Sequence, residues 1–337
     1  MNSHKNITII GTGTYHPQKK MENSFYIEHF KKSGEDITDF LEKFGRKERY
    51  IIDNDAENAL TMSVEASKNA LKSAGITADQ LDAIVFSSDT PEYLCPTNAM
   101  MLNHQLGAVN AHVVYDLNAN CLGMLVALDQ ISRYMKTSKK VKYALVAGGL
   151  FESNVASTDS KYIYPVSGDA GAAVVLQCVE EAEPRGFLDS SYCAKSEYCN
   201  NILSPTCGYS KSISEKTPEK DRKHSWIPFK LDFFVNEWCK AIDGFQTDYD
   251  FSLDDIQYFF LSQYSKQYIV ETAAALNITD YESRFPYVGD KYGYTGTTSP
   301  VLALHEAFQG NSIKKGSKAV FCSVGAGAAI GSLLYEF

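Results

Sequence analysis

Asp116-Leu117-Asn118-Ala119-Asn120-Cys121-Leu122-Gly123-Met124 is the stretch on which the fold reading turns. An apolar, β-rich run over Val113–Asp116 ends in a carboxylate, and small polar residues follow. Cys121 then opens a segment whose apolar positions are Leu122, Leu125, Val126, Leu128 and Ile131. That spacing predicts an amphipathic helix entered directly from a strand. A thiol at a helix N-terminus faces the positive end of the dipole, which predicts a Cys121 pKa below the usual value of about 8.5. Gly123 leaves room for a ligand or a second backbone. Taken alone, the stretch fits a nucleophile or an inert buried thiol.

Working outward, the same texture repeats. Strands are predicted at Ile7–Gly11, Ala83–Ser87, Tyr143–Ala147, Ala172–Leu176, Gln257–Leu261, Lys318–Cys322 and Gly331–Tyr335. Helices are predicted at Leu60–Ala74, Asn98–Gln105, Leu122–Met135, Asp232–Ile242, Ser265–Ala275 and Pro300–Phe308. Such alternation reads as an α/β fold with mostly buried strands. A length of 337 residues, at about 150 per domain, suggests roughly two units. Residues 189–225 break the pattern: they are rich in Ser, Lys, Glu, Asn and Thr and read as a solvated insertion, a lid or a docking surface.

Composition narrows the function classes. Thirty-two basic against 41 acidic residues give a net charge of −9, which disfavours a nucleic-acid or anionic-membrane partner. Neither a secretory signal nor an apolar run long enough to span a bilayer is visible, so a cytoplasmic location is expected. The eight cysteines form no C-x-x-C pair and have no histidine at zinc spacing, so reduced thiols and no metal are expected. Two glycine runs invite over-reading. Gly11-Thr12-Gly13 lacks the third glycine of a dinucleotide loop and meets Pro17 where the helix should run, and the Gly325–Gly331 run lies too near the C-terminus for a βαβ unit.

Ordered landmarks across more than 300 residues resemble β-ketoacyl-ACP synthase III and its relatives in the thiolase superfamily. Phe44–Ile51 is similar to the family's "TGIRERxI", Thr90–Pro96 to "TPDYLFP", Asp116–Gly123 to the nucleophile stretch, and Ser167–Leu176 to "FGDGAGAVVL". The Gly325-rich turn and the closing Leu333–Phe337 resemble the last loop and strand. The resemblance implies a thiolase fold of two similar βα halves, residues 1–180 and 181–337, packed as a five-layer α-β-α-β-α sandwich.

It also implies a Cys-His-Asn site, which this chain keeps only in part. Cys121 takes the nucleophile's place. The family's "PHQAN" histidine aligns with Gln263 and the "HGNTSAAS" asparagine with Tyr294, so Gln263 and Tyr294 are the expected polar partners. A glutamine carries no charge near neutral pH, and the loss of imidazole predicts slow or absent malonyl decarboxylation. Of the seven histidines, only His224, in the insertion, stands as an outside substitute. Backbone N–H groups of Cys121 and Gly325 are the implied oxyanion donors. The family's carrier-gripping residues are not matched, which leaves Lys43, Arg46 and Lys161 as weaker candidates for carrier or CoA binding. Cys95 falls where relatives floor the partner's acyl pocket, and Cys322 reads as structural.

The expected function is therefore acyl transfer through Cys121, from acyl-CoA or a phosphopantetheinyl acyl carrier protein as substrate, with no bound cofactor. The expected setting is fatty-acid, polyketide or other specialised metabolism, in a homodimer or a heterodimer with a homologue. The other reading is a non-catalytic or half-catalytic subunit of a heteromeric ketosynthase.

Overall fold

The computed structural model describes residues 3–310 and 313–337. Among the described residues the chain forms strands β1 (His4–Tyr15), β2 (Lys19–Glu22), β3 (Glu48–Ile51), β4 (Ala83–Ser87), β5 (Val113–Leu117), β6 (Tyr143–Leu150) and β7 (Ala170–Glu181). They continue with β8 (Gly186–Ala194), β9 (Ile202–Leu203), β10 (Ser225–Trp226), β11 (Ile256–Leu261), β12 (Lys318–Gly325) and β13 (Ala329–Glu336). The helices are α1 (Asn23–Lys31), α2 (Thr38–Phe44), α3 (Ala59–Ala74), α4 (Asn98–Leu106), α5 (Gly123–Thr137) and α6 (Glu152–Val155). After these come α7 (Tyr209–Ser212), α8 (Phe233–Tyr249), α9 (Lys266–Ala275), α10 (Tyr281–Arg284), α11 (Gly289–Tyr292) and α12 (Ser299–Gln309).

Nine strands are hydrogen-bonded in the order β11-β12-β13-β8-β1-β7-β6-β4-β5, with parallel and antiparallel neighbours mixed. At the centre of this order β1 meets β8 through one pair, Ile7 with Gly186. The sheet folds over at that seam, so that its two halves enclose α5 and α12, which touch strands of both sides. Helices α3 and α4 cover the β1-β7-β6-β4-β5 side, and α8 with α9 covers the other. This is the expected five-layer sandwich. Ala144–Ala147 and Ala172–Leu176 are fully buried, as strands covered on both faces require.

Local chemistry explains several boundaries. Helix α3 starts at an Asn58–Thr61 capping box and stops at Gly75, whose φ of 67° fits glycine. Gly11 and Gly13 are packing residues: a Cβ there would lie 2.5 Å from the Ala70 carbonyl and 2.2 Å from that of Ala66, so their bareness lets α3 press onto β1. The polar composition from residue 189 misled in one respect. Strand β8 runs through it to Ala194, because residue after residue pairs antiparallel with β13, from Gly186 opposite Glu336 to Ala194 opposite Ala329. The remainder of the insertion is anchored by the small β9–β10 ladder, Ser225 to Leu203 and Trp226 to Ile202.

Candidate active site

The ends of five strands converge on one cavity of about 130 Å³. Asp89 and Thr90 follow β4, Asn118 to Cys121 follow β5, and Glu152 follows β6. Tyr264 follows β11, and Val324 and Gly325 close β12. Carboxyl ends of strands are where α/β sheets place their sites, because loops diverge there and leave side chains unpacked.

Cys121 sits in a short helical turn, Asn120–Leu122, just before α5 begins at Gly123. Asn120 takes φ 52°, a left-handed conformation that Asn tolerates better than most residues, and this sharp entry turns the thiol toward the cavity. The strand-to-turn junction is fixed by Asp116, whose carboxylate accepts from the Asn98 and Ala99 backbone N–H groups at 2.8 and 2.7 Å. From the opposite side, the Ser323 hydroxyl donates to the Cys121 carbonyl at 2.9 Å. At Gly325 a Cβ would come within 2.5 Å of the Ala119 carbonyl, so the β12–β13 tip packs directly on the loop that carries Cys121.

The expected low thiol pKa is not found. Burial holds the Cys121 thiol well above its ordinary value, and the Asp89 carboxylate raises it further. Asp89 Oδ2 lies 3.6 Å from Cys121 Sγ, and Oδ1 is buried with no hydrogen-bond partner among the described residues. Burial and the nearby Glu152 push the Asp89 carboxyl up to about 6. The dipole of α5 loses to these two effects because desolvating a thiolate outweighs a partial charge.

Gln263 is not part of the cavity. Its side chain is fully buried: Nε2 donates to the Leu261 and Pro286 carbonyls at 2.8 and 3.3 Å, and Oε1 accepts from the Val288 N–H at 2.9 Å. Its neighbour Ser262 is the residue turned toward Tyr294. The Ser262 hydroxyl is buried without a hydrogen-bond partner among the described residues. Successive side chains at a strand end point to opposite sides, so a one-residue change in register replaces one with the other.

Tyr294 does line the cavity. Its backbone is clamped between Val166 and Gly168, donating to the Val166 carbonyl and accepting from the Gly168 N–H, both at 2.9 Å. Burial pushes its phenol far up, and neighbouring Cys121 adds to the shift. The Tyr264 ring packs edge-on to Tyr294 at 5.3 Å and stacks flat on Trp226 of the insertion at 4.9 Å. Tyr162, Phe229 and Phe234 complete an aromatic wall.

Sequence reasoning missed Asp89 and Glu152. Both are carboxylates placed just after buried strands, where a charged residue has to be explained, and that was the available signal. Glu152 is 4% exposed, and its Oε1 lies 2.6 Å from His224 Nδ1. Cys121, Asp89, Glu152, His224 and Tyr294 thus share one cavity.

The carrier candidates separate. Arg46 is buried and donates to the carbonyls of Val166, Phe44, Gly289, Gln263 and Tyr264 and to the Tyr287 hydroxyl, so it is an internal clamp and not a carrier contact. Lys161 pairs with Glu35, and Lys43 is exposed. Cys95 is exposed and does not line the cavity of its own chain. Cys322 is sealed, with its thiol pushed up to about 12 by burial, in keeping with a structural role.

Comparison with known proteins agrees with this architecture. Residues 115–196 match the family 3-oxoacyl-[acyl-carrier-protein (ACP)] synthase III, and residues 247–337 match its C-terminal family. The chain is a ketosynthase-III-like member of the thiolase superfamily. A β-ketoacyl-[acyl-carrier-protein] synthase III of Clostridium botulinum is 28% identical over 335 residues, covering 97% of this chain and 98% of that protein. The crystal structure of the Aquifex aeolicus 3-oxoacyl-[acyl-carrier-protein] synthase III superposes with a TM-score of 0.84 at 24% identity, over 98% of this chain and all of that one. A priming β-ketosynthase of a polyketide pathway superposes at 0.87 with 19% identity, over 100% of this chain and 98% of that one, and shares the fold. Among the described residues, this ketosynthase-III-like chain has no helix long and apolar enough to cross a membrane.

Proposed function

We propose that this ketosynthase-III-like protein is an acyltransferase that carries its acyl group as a thioester on Cys121. The observation that carries the reading is the 3.6 Å approach of Cys121 Sγ to Asp89 Oδ2 inside an aromatic-walled cavity. At neutral pH Asp89 is ionised and the thiol is not. As sulfur attacks the donor's thioester carbon, the thiol proton passes to Asp89, the new S–C bond forms, and the donor's thiolate leaves. Once protonated, Asp89 no longer opposes the thiolate, so the pair titrates as a unit. Backbone N–H groups at Cys121 and Gly325 are the proposed cradle for the oxyanion.

The donor is a pantetheine thioester, acyl-CoA or an acyl carrier protein, used in priming fatty-acid or polyketide chains. Two carboxylates, Asp89 and Glu152, already occupy the cavity. A third, from a malonyl group, adds like-charge repulsion there, so the acceptor is one that needs no decarboxylation. Edge strand β5 and the loop bearing exposed Tyr93 and Leu94 form the proposed dimer face, in a homodimer or with a homologue. That arrangement also puts Cys95 beside the partner's site.

Intact-protein mass spectrometry after exposure to acetyl-CoA and an acetylated carrier protein tests this. The expected result is an acetyl adduct that disappears in Cys121→Ala. No adduct with either donor would refute the acyl-enzyme and leave the subunit reading.

A further inference from the structure

We infer that His224, delivered by the insertion and held by Glu152, is the acid–base residue of the acyl transfer at Cys121. This deepens the acyl-enzyme reading above and rests on it.

The histidine is placed for that work by two contacts on α6. Its backbone N–H donates to the Val155 carbonyl at 2.7 Å, and its Nδ1 meets Glu152 Oε1 at 2.6 Å. An ionised carboxylate can only accept, so Nδ1 carries a proton and Nε2 is the end left for chemistry. Nε2 is buried and has no hydrogen-bond partner among the described residues, while the residue borders the same cavity as Cys121. An unpartnered buried nitrogen costs stability in the empty site and is satisfied when a substrate atom arrives. The neighbouring ring stack of Trp226 on Tyr264 holds the strand that follows His224 against the loop after β11. Burial alone would lower the imidazole pKa, but the Glu152 and Asp89 carboxylates outweigh it and the net shift is upward. The other groups facing the site, the Cys121 thiol and the Tyr294 phenol, are neutral at rest, and Lys223 is turned to the Asn154 carbonyl.

The protons then balance over a full cycle. The cycle runs in the form whose His224 is protonated on both nitrogens: in acylation Asp89 takes the Cys121 proton, the Cys121 S–C bond forms, the donor's C–S bond breaks, and the departing thiolate takes the Nε2 proton, leaving a neutral imidazole protonated at Nδ1. In deacylation a hydroxyl or amine acceptor attacks the Cys121 thioester and gives its proton to Nε2. The Cys121 thiolate leaves and recovers its proton from Asp89, and the starting state returns. The acceptor class follows: a neutral O–H or N–H nucleophile, whose proton needs a base.

Acetylation of Cys121 in the full chain, timed by quenched-flow mass spectrometry with two donors, tests this. S-acetyl-N-acetylcysteamine expels a basic alkyl thiolate that needs a proton, whereas S-phenyl thioacetate expels a stable aryl thiolate that does not. His224→Gln should slow the alkyl donor by roughly 10²-fold and leave the aryl donor little changed. Equal slowing with both would overturn the inference, since a structural role does not discriminate between leaving groups. If the unmodified chain accepts acetyl from neither donor, the acyl-enzyme reading itself falls. Glu152→Gln tests positioning: it keeps an acceptor for Nδ1 but removes the charge that raises the imidazole pKa. The fall of alkyl-donor acylation with rising pH should then move to lower pH, and an unmoved profile would overturn the role of Glu152.

Discussion

Asp89→Asn should separate stability from activity in opposite directions. The buried carboxyl is held near 6, against 3.8 for a free aspartate. At about 1.4 kcal/mol per pH unit, ionising it in the folded protein costs roughly 3 kcal/mol more than in the unfolded chain. The sign follows from proton binding. Between 3.8 and 6 the folded state binds more protons than the unfolded one, so the carboxylate's contribution to stability falls as pH rises through that window and is lowest above it. Asparagine removes the charge but adds an amide whose N–H groups have no ready acceptor near Oδ1, which takes back about 1 kcal/mol. The variant should therefore be more stable by about 2 kcal/mol at pH 7 in urea unfolding. That advantage should shrink steadily as pH falls and reverse below pH 3.8, where only the amide's cost of about 1 kcal/mol remains. Acetylation of Cys121 should meanwhile drop by roughly 10²-fold, because the proton acceptor is lost. An Asn variant that gains nothing at pH 7, or gains equally at low pH, would refute the assignment of Asp89 as a strained, ionised base.

Two further outcomes follow from the same geometry. Iodoacetamide at pH 7 should label exposed Cys199 before Cys121, whose thiol burial and Asp89 hold protonated, and Asp89→Asn should speed Cys121 labelling even as it slows enzymatic acylation. Peptide mapping that finds Cys121 labelled first would contradict the raised pKa. Gln263→His should not restore release of carbon dioxide from malonyl carrier protein, because the new ring would enter the core and break three hydrogen bonds, at a cost of about 2–3 kcal/mol in thermal or urea unfolding. A gain in decarboxylation with unchanged stability would place residue 263 in the site after all.

Much of the scaffold was legible because its strands are buried on both faces and so read as uninterrupted Val, Ile, Leu and Ala runs. The predicted Ala83–Ser87 is the observed strand, and Ala74-Gly75 ends the observed helix. Strand β8 was hidden because Asp189, Ser190, Ser191 and Tyr192 follow one another in it and nothing after Phe187 is fully buried, so no apolar alternation marks it. The place of Cys121 was legible from a strand-to-helix junction, which is local. Its electrostatics were not, because the groups that set them arrive from β4, α6 and the insertion, and only tertiary packing makes them neighbours. Gln263 shows a different limit: a family resemblance points to a loop, but which of two adjacent side chains turns toward Tyr294 depends on backbone direction.

The Arg46 clamp has a consequence for how such a site can change. Five of its six acceptors are main-chain carbonyls, drawn from the loops behind the aromatic wall and from the residue pair that follows β11. A guanidinium that grips peptide oxygens is indifferent to the side chains those peptides carry. The side chains at Gln263 and Tyr264 can therefore differ without the segment that carries them losing its position. What the clamp holds is the course of the main chain, so the loops that meet at the cavity keep their places relative to the Cys121 turn whatever side chains they present.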